Sequence, residues 1–426
     1  MEEFSNAASY RAACKNRSKL PKGFLASSTA ISFFPNEKKV AEPLTMNLSS
    51  ILLSRPSRVF AGVFTKNKSP GAPVIIGREL LHGETARGVL INNKIANVCA
   101  PGGKHAAQSV VSAFAGFLGC TGDMREKEII FPSSTGIIGW ELPVKAMKDG
   151  AQQLAKVMCS KSGEKLGSIY PVAEGIMTTD AFPKVRSAEC GGGRIVAIAK
   201  GAGMVEPNMG TLLVFIVTDV TVSREYCRTA LPMVIEKSFN CISIDGDQST
   251  SDTALMFSSC RTDGVSEQEF EKQLTSVCMQ LAEDTVRNGE GTNHVIRVFI
   301  TGAENEDSAK GFGKAVVNSP LVKTAVYGND PNVGRIIMAL GDFAGNNEFA
   351  FHSEVTRISI GEIPVFRDGV FLLNEEKEAM LHSYFEKSEL GEKKDYPKHK
   401  KTVDIAVDLN CGHSEAMVLG SDLSYQ

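Results

Sequence analysis

Two stretches of this 426-residue chain bring together residue types that can carry covalent chemistry. In the first, 194–220, two apolar runs flank a loop holding Lys200, Gly201, Gly203, Pro207, Asn208 and Gly210, and Thr211 opens the second run. A threonine hydroxyl is a weak nucleophile unless a base sits beside it. Making the threonine the first residue of a chain supplies that base as its own α-amine, which requires cleavage of the Gly210–Thr211 bond. A glycine at 210 leaves the carbonyl open to attack by the threonine oxygen. On local chemistry alone a plain strand–loop–strand accounts for the same residues. The Gly201-Ala202-Gly203 run lacks the third glycine and the following helix of a phosphate cradle.

In the second stretch, Ser133-Ser134-Thr135-Gly136 follows an apolar strand at 129–131. A strand ending this way presents backbone N–H groups and a hydroxyl together, the donors that stabilise an oxyanion. A helix cap or a turn uses the same residues. Met177-Thr178-Thr179-Asp180 forms a third polar cluster, and Glu290 lies between two glycines just past a helical run. A carboxylate there can pair with a substrate ammonium, or be a solvated loop glutamate. Asp245-Gly246-Asp247 has the composition of a calcium loop without the spacing or closing glutamate of an EF-hand, so a polar turn is expected.

These side chains need elements to hold them. Short runs rich in Val and Ile predict strands at 58–65, 88–92, 129–131, 194–199, 211–220, 295–300, 355–360 and 402–409. Arg367-Asp368-Gly369 between two apolar runs at 364–372 predicts a hairpin. Apolar stripes of helical period predict helices over 104–118, 268–286 and 375–390. Gly191-Gly192-Gly193 punctuates the chain just before a strand, and 386–401, dense in Lys and Glu, reads as an exposed loop. Many strands with helices between them predict layered α/β or α+β architecture. The first 22 residues are basic and lack a long apolar run, so a disordered extension is expected, with Glu2 and Glu3 counting against a transit peptide.

Composition bounds the function. With 46 Lys plus Arg against 49 Asp plus Glu, there is no basic surplus for nucleic acid or an anionic membrane, and no apolar run reaches membrane-spanning length. The ten cysteines are scattered, which predicts free thiols in a reducing compartment, and the seven histidines show no zinc spacing.

Taken in order, Gly62-Val63-Phe64-Thr65-Lys66-Asn67, Ala72-Pro73-Val74, Ser134-Thr135-Gly136, Met177-Thr178-Thr179-Asp180, Lys200-Gly201-Ala202-Gly203-Met204, Pro207-Asn208-Met209-Gly210-Thr211, Asp245-Gly246-Asp247 and Asp330-Pro331-Asn332-Val333-Gly334-Arg335 are familiar. The chain resembles the ornithine acetyltransferases, also called glutamate N-acetyltransferases, of arginine biosynthesis, from Pro21 to Tyr425. The resemblance implies an α/β layered sandwich built from two fragments of one self-cleaved precursor, here 23–210 behind the extension 1–22, and 211–426, assembled as a heterotetramer. It implies Thr211 as nucleophile of cleavage and of acetyl transfer, Thr135 and Gly136 as the oxyanion hole, and Thr178, Lys200 and Glu290 as holders of the amino-acid substrate. It implies transfer from N-acetylornithine to glutamate in an intracellular setting, cytoplasmic or an organelle such as the mitochondrial matrix. No metal or organic cofactor is implied, and acetyl-CoA serves as a second donor only in bifunctional members. An amidohydrolase or aminopeptidase on the same scaffold, and a non-catalytic paralogue, are the alternatives.

The chain departs from the family pattern at several places. The motif usually reading Asn-Ser-Gly-Asn-Ala-Asn is Asn92-Asn93-Lys94-Ile95-Ala96-Asn97, the alanine before the nucleophile is Gly210, and the tryptophan of the Asp-Pro-Asn motif is Val333. The glutamate loop ends in Thr292-Asn293-His294 rather than Ala-Thr-Lys. The sequence reads to Gln426, short of the tail through which family members add an asparagine and a Ser or Thr to the substrate site.

Overall fold

A computed structural model of the chain describes residues 3–119, 128–160, 166–206, 212–392 and 394–424. The strands run, in chain order, β1 (Phe24–Phe33), β2 (Leu44–Ser57), β3 (Phe60–Phe64), β4 (Thr85–Asn92), β5 (Glu128–Ser134), β6 (Lys184–Cys190), β7 (Gly193–Lys200), β8 (Leu213–Val220), β9 (Ile242–Ser243), β10 (Thr253–Thr262), β11 (Val295–Ala303), β12 (Arg357–Ile360), β13 (Ile363–Arg367), β14 (Val370–Phe371), β15 (Val403–Asp408) and β16 (Ser414–Ser421). They form three sheets, ordered β1-β2-β4-β5, β3-β10-β8-β7-β6 and β14-β13-β12-β15-β11-β16-β9.

Period-two alternation builds the layers. In β7, Val196 and Ile198 enter one core while Ile195, Ala197 and Ala199 enter another. The first core lies between the two smaller sheets, where Val89, Ile91 and Phe131 meet Ile198, Phe215 and Phe257. Helices Gly103–Phe117 and Val144–Cys159 cover the outer face of the first sheet. Helices Arg224–Lys237 and Glu267–Val286 cover the outer face of the second. The result is a four-layer α–β–β–α sandwich, the layered α/β class expected. β8, at the centre of its sheet, is buried at every residue. Burial on both faces is why 213–217 reads as an unbroken apolar run.

The seven-stranded sheet packs one face on helices Glu306–Asn318, Pro320–Tyr327, Val333–Asn347 and Glu375–Ser388. Its β9 edge continues the core under Glu267–Val286 through Ile242, Val295 and Leu419. The hairpin turns at Asp368 and Gly369, both with positive φ (51° and 76°). No helix among the described residues is long and apolar enough to cross a membrane.

Two expectations are corrected. The segment expected to be a disordered extension forms a helix, Ala7–Arg17, opened by a capping box between Asn6 and Ser9. Its Tyr10 and Cys14 are fully buried, and the Tyr10 hydroxyl donates to the Pro183 carbonyl (2.9 Å). Two side chains one helical turn apart are enough to dock it, and the surrounding charges hide that stripe. The charge-dense 386–401 is not simply exposed either. The buried Arg287 guanidinium, paired with Glu283 (2.6 Å), donates to the carbonyls of Lys398, His399 and Lys401. His399 is buried against Asp284, which also takes a bidentate pair from Arg186 (2.7 Å each).

Candidate active site

Gly210 and Thr211 lie outside the described residues. Beyond them the chain enters β8 through Leu212, whose N–H donates to Asp252 Oδ1 (2.8 Å) and whose carbonyl accepts from Thr253 N–H (3.1 Å). At this end of the sheet, Lys200 of β7 and Thr253 of β10 stand on either side of Leu213. The pairing register therefore aligns Lys200 with the residue two positions after Thr211. Asp252 is wholly buried, and among the described residues its second carboxyl oxygen has no hydrogen-bond partner. Burial pushes its carboxyl well above the usual carboxylate range, against the opposing pull of Leu212 N–H.

Lys200 is 4 % exposed and donates no hydrogen bond to a described residue. Burial lowers its pKa, and Lys184 adds to that, while Asp180 and Glu290 pull the other way. Asp180 organises this patch. Its Oδ1 accepts from Lys184 Nζ (2.6 Å) and Gly201 N–H (2.9 Å), and its Oδ2 from Thr178 N–H (3.1 Å). Burial opposes its charge, but Lys184 and then Lys200 hold its pKa at about 2. One carboxylate thus pins the Thr178 turn to the end of β7, leaving Thr178 and Thr179 exposed beside Lys200.

Glu290 is held from both ends. Its N–H donates to the Ala202 carbonyl (2.8 Å), and the Thr179 hydroxyl donates to its carboxylate. Gly203 faces that carboxylate so closely that a Cβ there would stand 2.8 Å from Oε1. Asn288 closes the same corner, accepting from Ala181 N–H (3.0 Å). Thr178, Lys200 and Glu290 are therefore gathered at one end of the central sheet, with a cation and a carboxylate available to an amino acid's opposite charges.

Thr135 and Gly136 sit where β5 ends beside β4. The Thr135 N–H is spent on the Asn92 carbonyl (3.0 Å), so its hydroxyl is the donor left for an oxyanion. Among the described residues the Gly136 N–H has no acceptor. Gly136 has φ +125°, and a Cβ would fall 2.2 Å from the Lys94 carbonyl oxygen, so no other residue fits without moving the backbone. Below, the Ser134 hydroxyl donates to Asn92 Oδ1 (2.5 Å) and Asn92 Nδ2 to the Ile95 carbonyl (2.7 Å).

The sequence reading left three participants without a role. Asp180 stands inside a quoted motif, but it also reaches Gly201 N–H, 21 residues on, and Asp252 takes the N–H of Leu212, 40 residues before it. Asn93 was set down only as a departure; its Nδ2 donates to the Met177 carbonyl (2.7 Å) and links the two clusters. The Asp245 carboxylate is occupied by the N–H groups of Met204 and Val205, the polar turn expected rather than a cation loop. Among the described residues no cluster of His, Cys, Asp and Glu is arranged to hold a metal ion.

The ArgJ family's sequence model matches residues 37–426. The chain is 34% identical over 405 residues to arginine biosynthesis bifunctional protein ArgJ 2 of Clostridium acetobutylicum, covering 95% of each chain. It is 35% identical over 392 residues to the glutamate N-acetyltransferase of Methanocaldococcus jannaschii, covering 88% of this chain and 91% of that one. Among solved structures it is similar to arginine biosynthesis bifunctional protein argJ of Bacillus halodurans, at 30% identity and a TM-score of 0.44, over 50% of this chain and 94% of that chain. The chain belongs to the ArgJ family of acyltransferases.

Proposed function

We propose that the chain moves the acetyl group of N2-acetyl-L-ornithine to L-glutamate through an acetyl ester on Thr211, after cleaving itself between Gly210 and Thr211. The observation that carries the reading is the gathering of Lys200, Thr178 and Glu290 at the sheet end where Leu212 enters β8. Family membership and the relatives' names support the substrates.

In this reading the freed α-amine of Thr211 takes the hydroxyl proton, and Oγ1 attacks the acetyl carbonyl. The Thr135 hydroxyl and Gly136 N–H hold the oxyanion. Collapse expels the ornithine α-amine, which leaves with the proton held by the Thr211 ammonium. Glutamate then enters, Lys200 taking a carboxylate and Glu290 an ammonium. That ammonium gives up one proton to solvent, the free amine attacks the ester, and its second proton passes through the Thr211 α-amine to Oγ1 as N-acetylglutamate leaves. Fragments 1–210 and 211–426 remain associated, as a heterotetramer.

Intact mass under denaturing conditions, beside Thr211→Ala, tests the cleavage. The expected result is two fragments, the second beginning at Thr211, and one uncut chain in the variant. Exchange of labelled glutamate into acetylglutamate tests the transfer. An uncut wild-type chain, or acetylornithine consumption indifferent to glutamate, would overturn the reading.

A further inference from the structure

We infer that Asn93 is a positioning residue for this reaction, tying the strand end that carries Thr135 and Gly136 to the turn that carries Thr178 and Thr179. The inference rests on the acetyl-transfer reading above and adds a determinant of how the acetyl acceptor is seated. Asn93 lies between two residues whose backbones support the oxyanion loop. The Asn92 carbonyl accepts from Thr135 N–H (3.0 Å), and the Lys94 carbonyl accepts from Ile137 N–H (3.0 Å). Its own side chain faces away from that loop's ladder. Oδ1 accepts from Asn47 N–H (2.8 Å) and Nδ2 donates to the Met177 carbonyl (2.7 Å).

Both partners are backbone groups of fixed character, so the amide has one orientation that satisfies them. Met177 immediately precedes Thr178, and the turn beyond it is fixed at its other end by Asp180. The Met177–Asp180 turn is therefore held twice, by Asp180 on the β7 side and by Asn93 on the β4 side. Without the second hold, Thr178 and Thr179 are free to move relative to Thr135 and Gly136. Thr179 is in turn the residue that donates to Glu290. A serine here, the usual family residue, is too short to bridge Asn47 and Met177 in the same way.

The test uses the full chain and two variants. Asn93→Asp keeps the acceptor for Asn47 N–H but sets an oxygen against the Met177 carbonyl. Asn93→Ser removes the reach. Both are expected to cleave as the wild type does. Their KM for glutamate is expected to rise about threefold to tenfold, the worth of one intramolecular hydrogen bond, with kcat within about twofold. Hydrogen–deuterium exchange of the 177–181 peptide is expected to quicken in both. A purely structural role would lower stability and leave KM unmoved. Wild-type KM and wild-type exchange in both variants would overturn the inference. If Asn93→Asp does not fold, Asn93→Ser decides alone. Should the wild type show no glutamate exchange, the acetyl-transfer reading fails, and the deuterium measurement still decides whether Asn93 holds the turn.

Discussion

Two lysines in one buried patch should respond oppositely to the same substitution. Lys184 Nζ lies 2.6 Å from Asp180 Oδ1, and both side chains are wholly buried. Lys184→Met strands a carboxylate that keeps two backbone donors but loses its ion-pair partner. Breaking a buried pair from one side costs about 3–5 kcal/mol, or about two to four powers of ten in the folding equilibrium. Lys200 donates no hydrogen bond to a described residue, and both burial and Lys184 disfavour its charge. Methionine fills much of the space of the lysine stem, so Lys200→Met should leave the urea midpoint unchanged or raise it. Its effect should fall on function. A charge-assisted hydrogen bond to a substrate carboxylate is worth about 1.5–3 kcal/mol, so kcat/KM for glutamate should drop about tenfold to 150-fold. Urea unfolding followed by circular dichroism, with the glutamate–acetylglutamate exchange assay on the same preparations, measures both. Equal destabilisation by the two methionines, or wild-type kcat/KM in Lys200→Met, would refute the division of roles.

Two further outcomes follow from the geometry. Gly136→Ala drives a methyl into the Lys94 carbonyl at a backbone angle that L-residues avoid, displacing the oxyanion donors; kcat should fall by about 10²–10³, and unaltered turnover would count against the assignment. Because burial depresses the Lys200 pKa, its proton should be lost as pH rises through a value below the ordinary lysine figure of about 10.4, and glutamate KM should climb there. The sign for stability is opposite. The unfolded chain binds more protons in that window, so the free enzyme gains stability from Lys200 as pH rises through it. Lys200→Arg, which keeps its charge, should flatten the KM profile, and a wild-type profile already flat to the ordinary lysine value would refute this.

Local sequence was enough for much of the scaffold. The unbroken apolar run at 213–217, the stripes at 104–118 and 268–286, and Asp368-Gly369 between apolar runs each carry their structure in short-range pattern. The strand end at Ser134-Thr135-Gly136 was legible as a place presenting N–H groups and a hydroxyl, but that Gly136 admits no Cβ is known only from its φ and its approach to the Lys94 carbonyl. Less was legible in β1 and β2. Their serines, Ser28 with Ser49 (2.8 Å) and Ser50 with the Val89 carbonyl (2.8 Å), break the apolar alternation yet are satisfied across the sheet. The helix Ala7–Arg17 was likewise invisible, because its two buried residues matter only once β6 and the loop before it are there to receive them.

The candidate site divides along the same line. The resemblance carried by motifs in their order along the chain singled out Thr135, Gly136, Thr178, Lys200, Thr211 and Glu290, while their local chemistry left a plain turn or loop open. Tertiary structure decided what holds them. Asp180 bridges to Lys184 and Gly201, Asn93 reaches 84 positions along the chain to Met177, and Asp252 takes the N–H of Leu212. Apart from Asp180–Lys184, four residues apart, those are hydrogen bonds between remote segments, and whether a carboxylate stays charged depends on the cation and the burial that folding brings to it. No spacing along the chain encodes that, because the partners become neighbours only when the sheets stack.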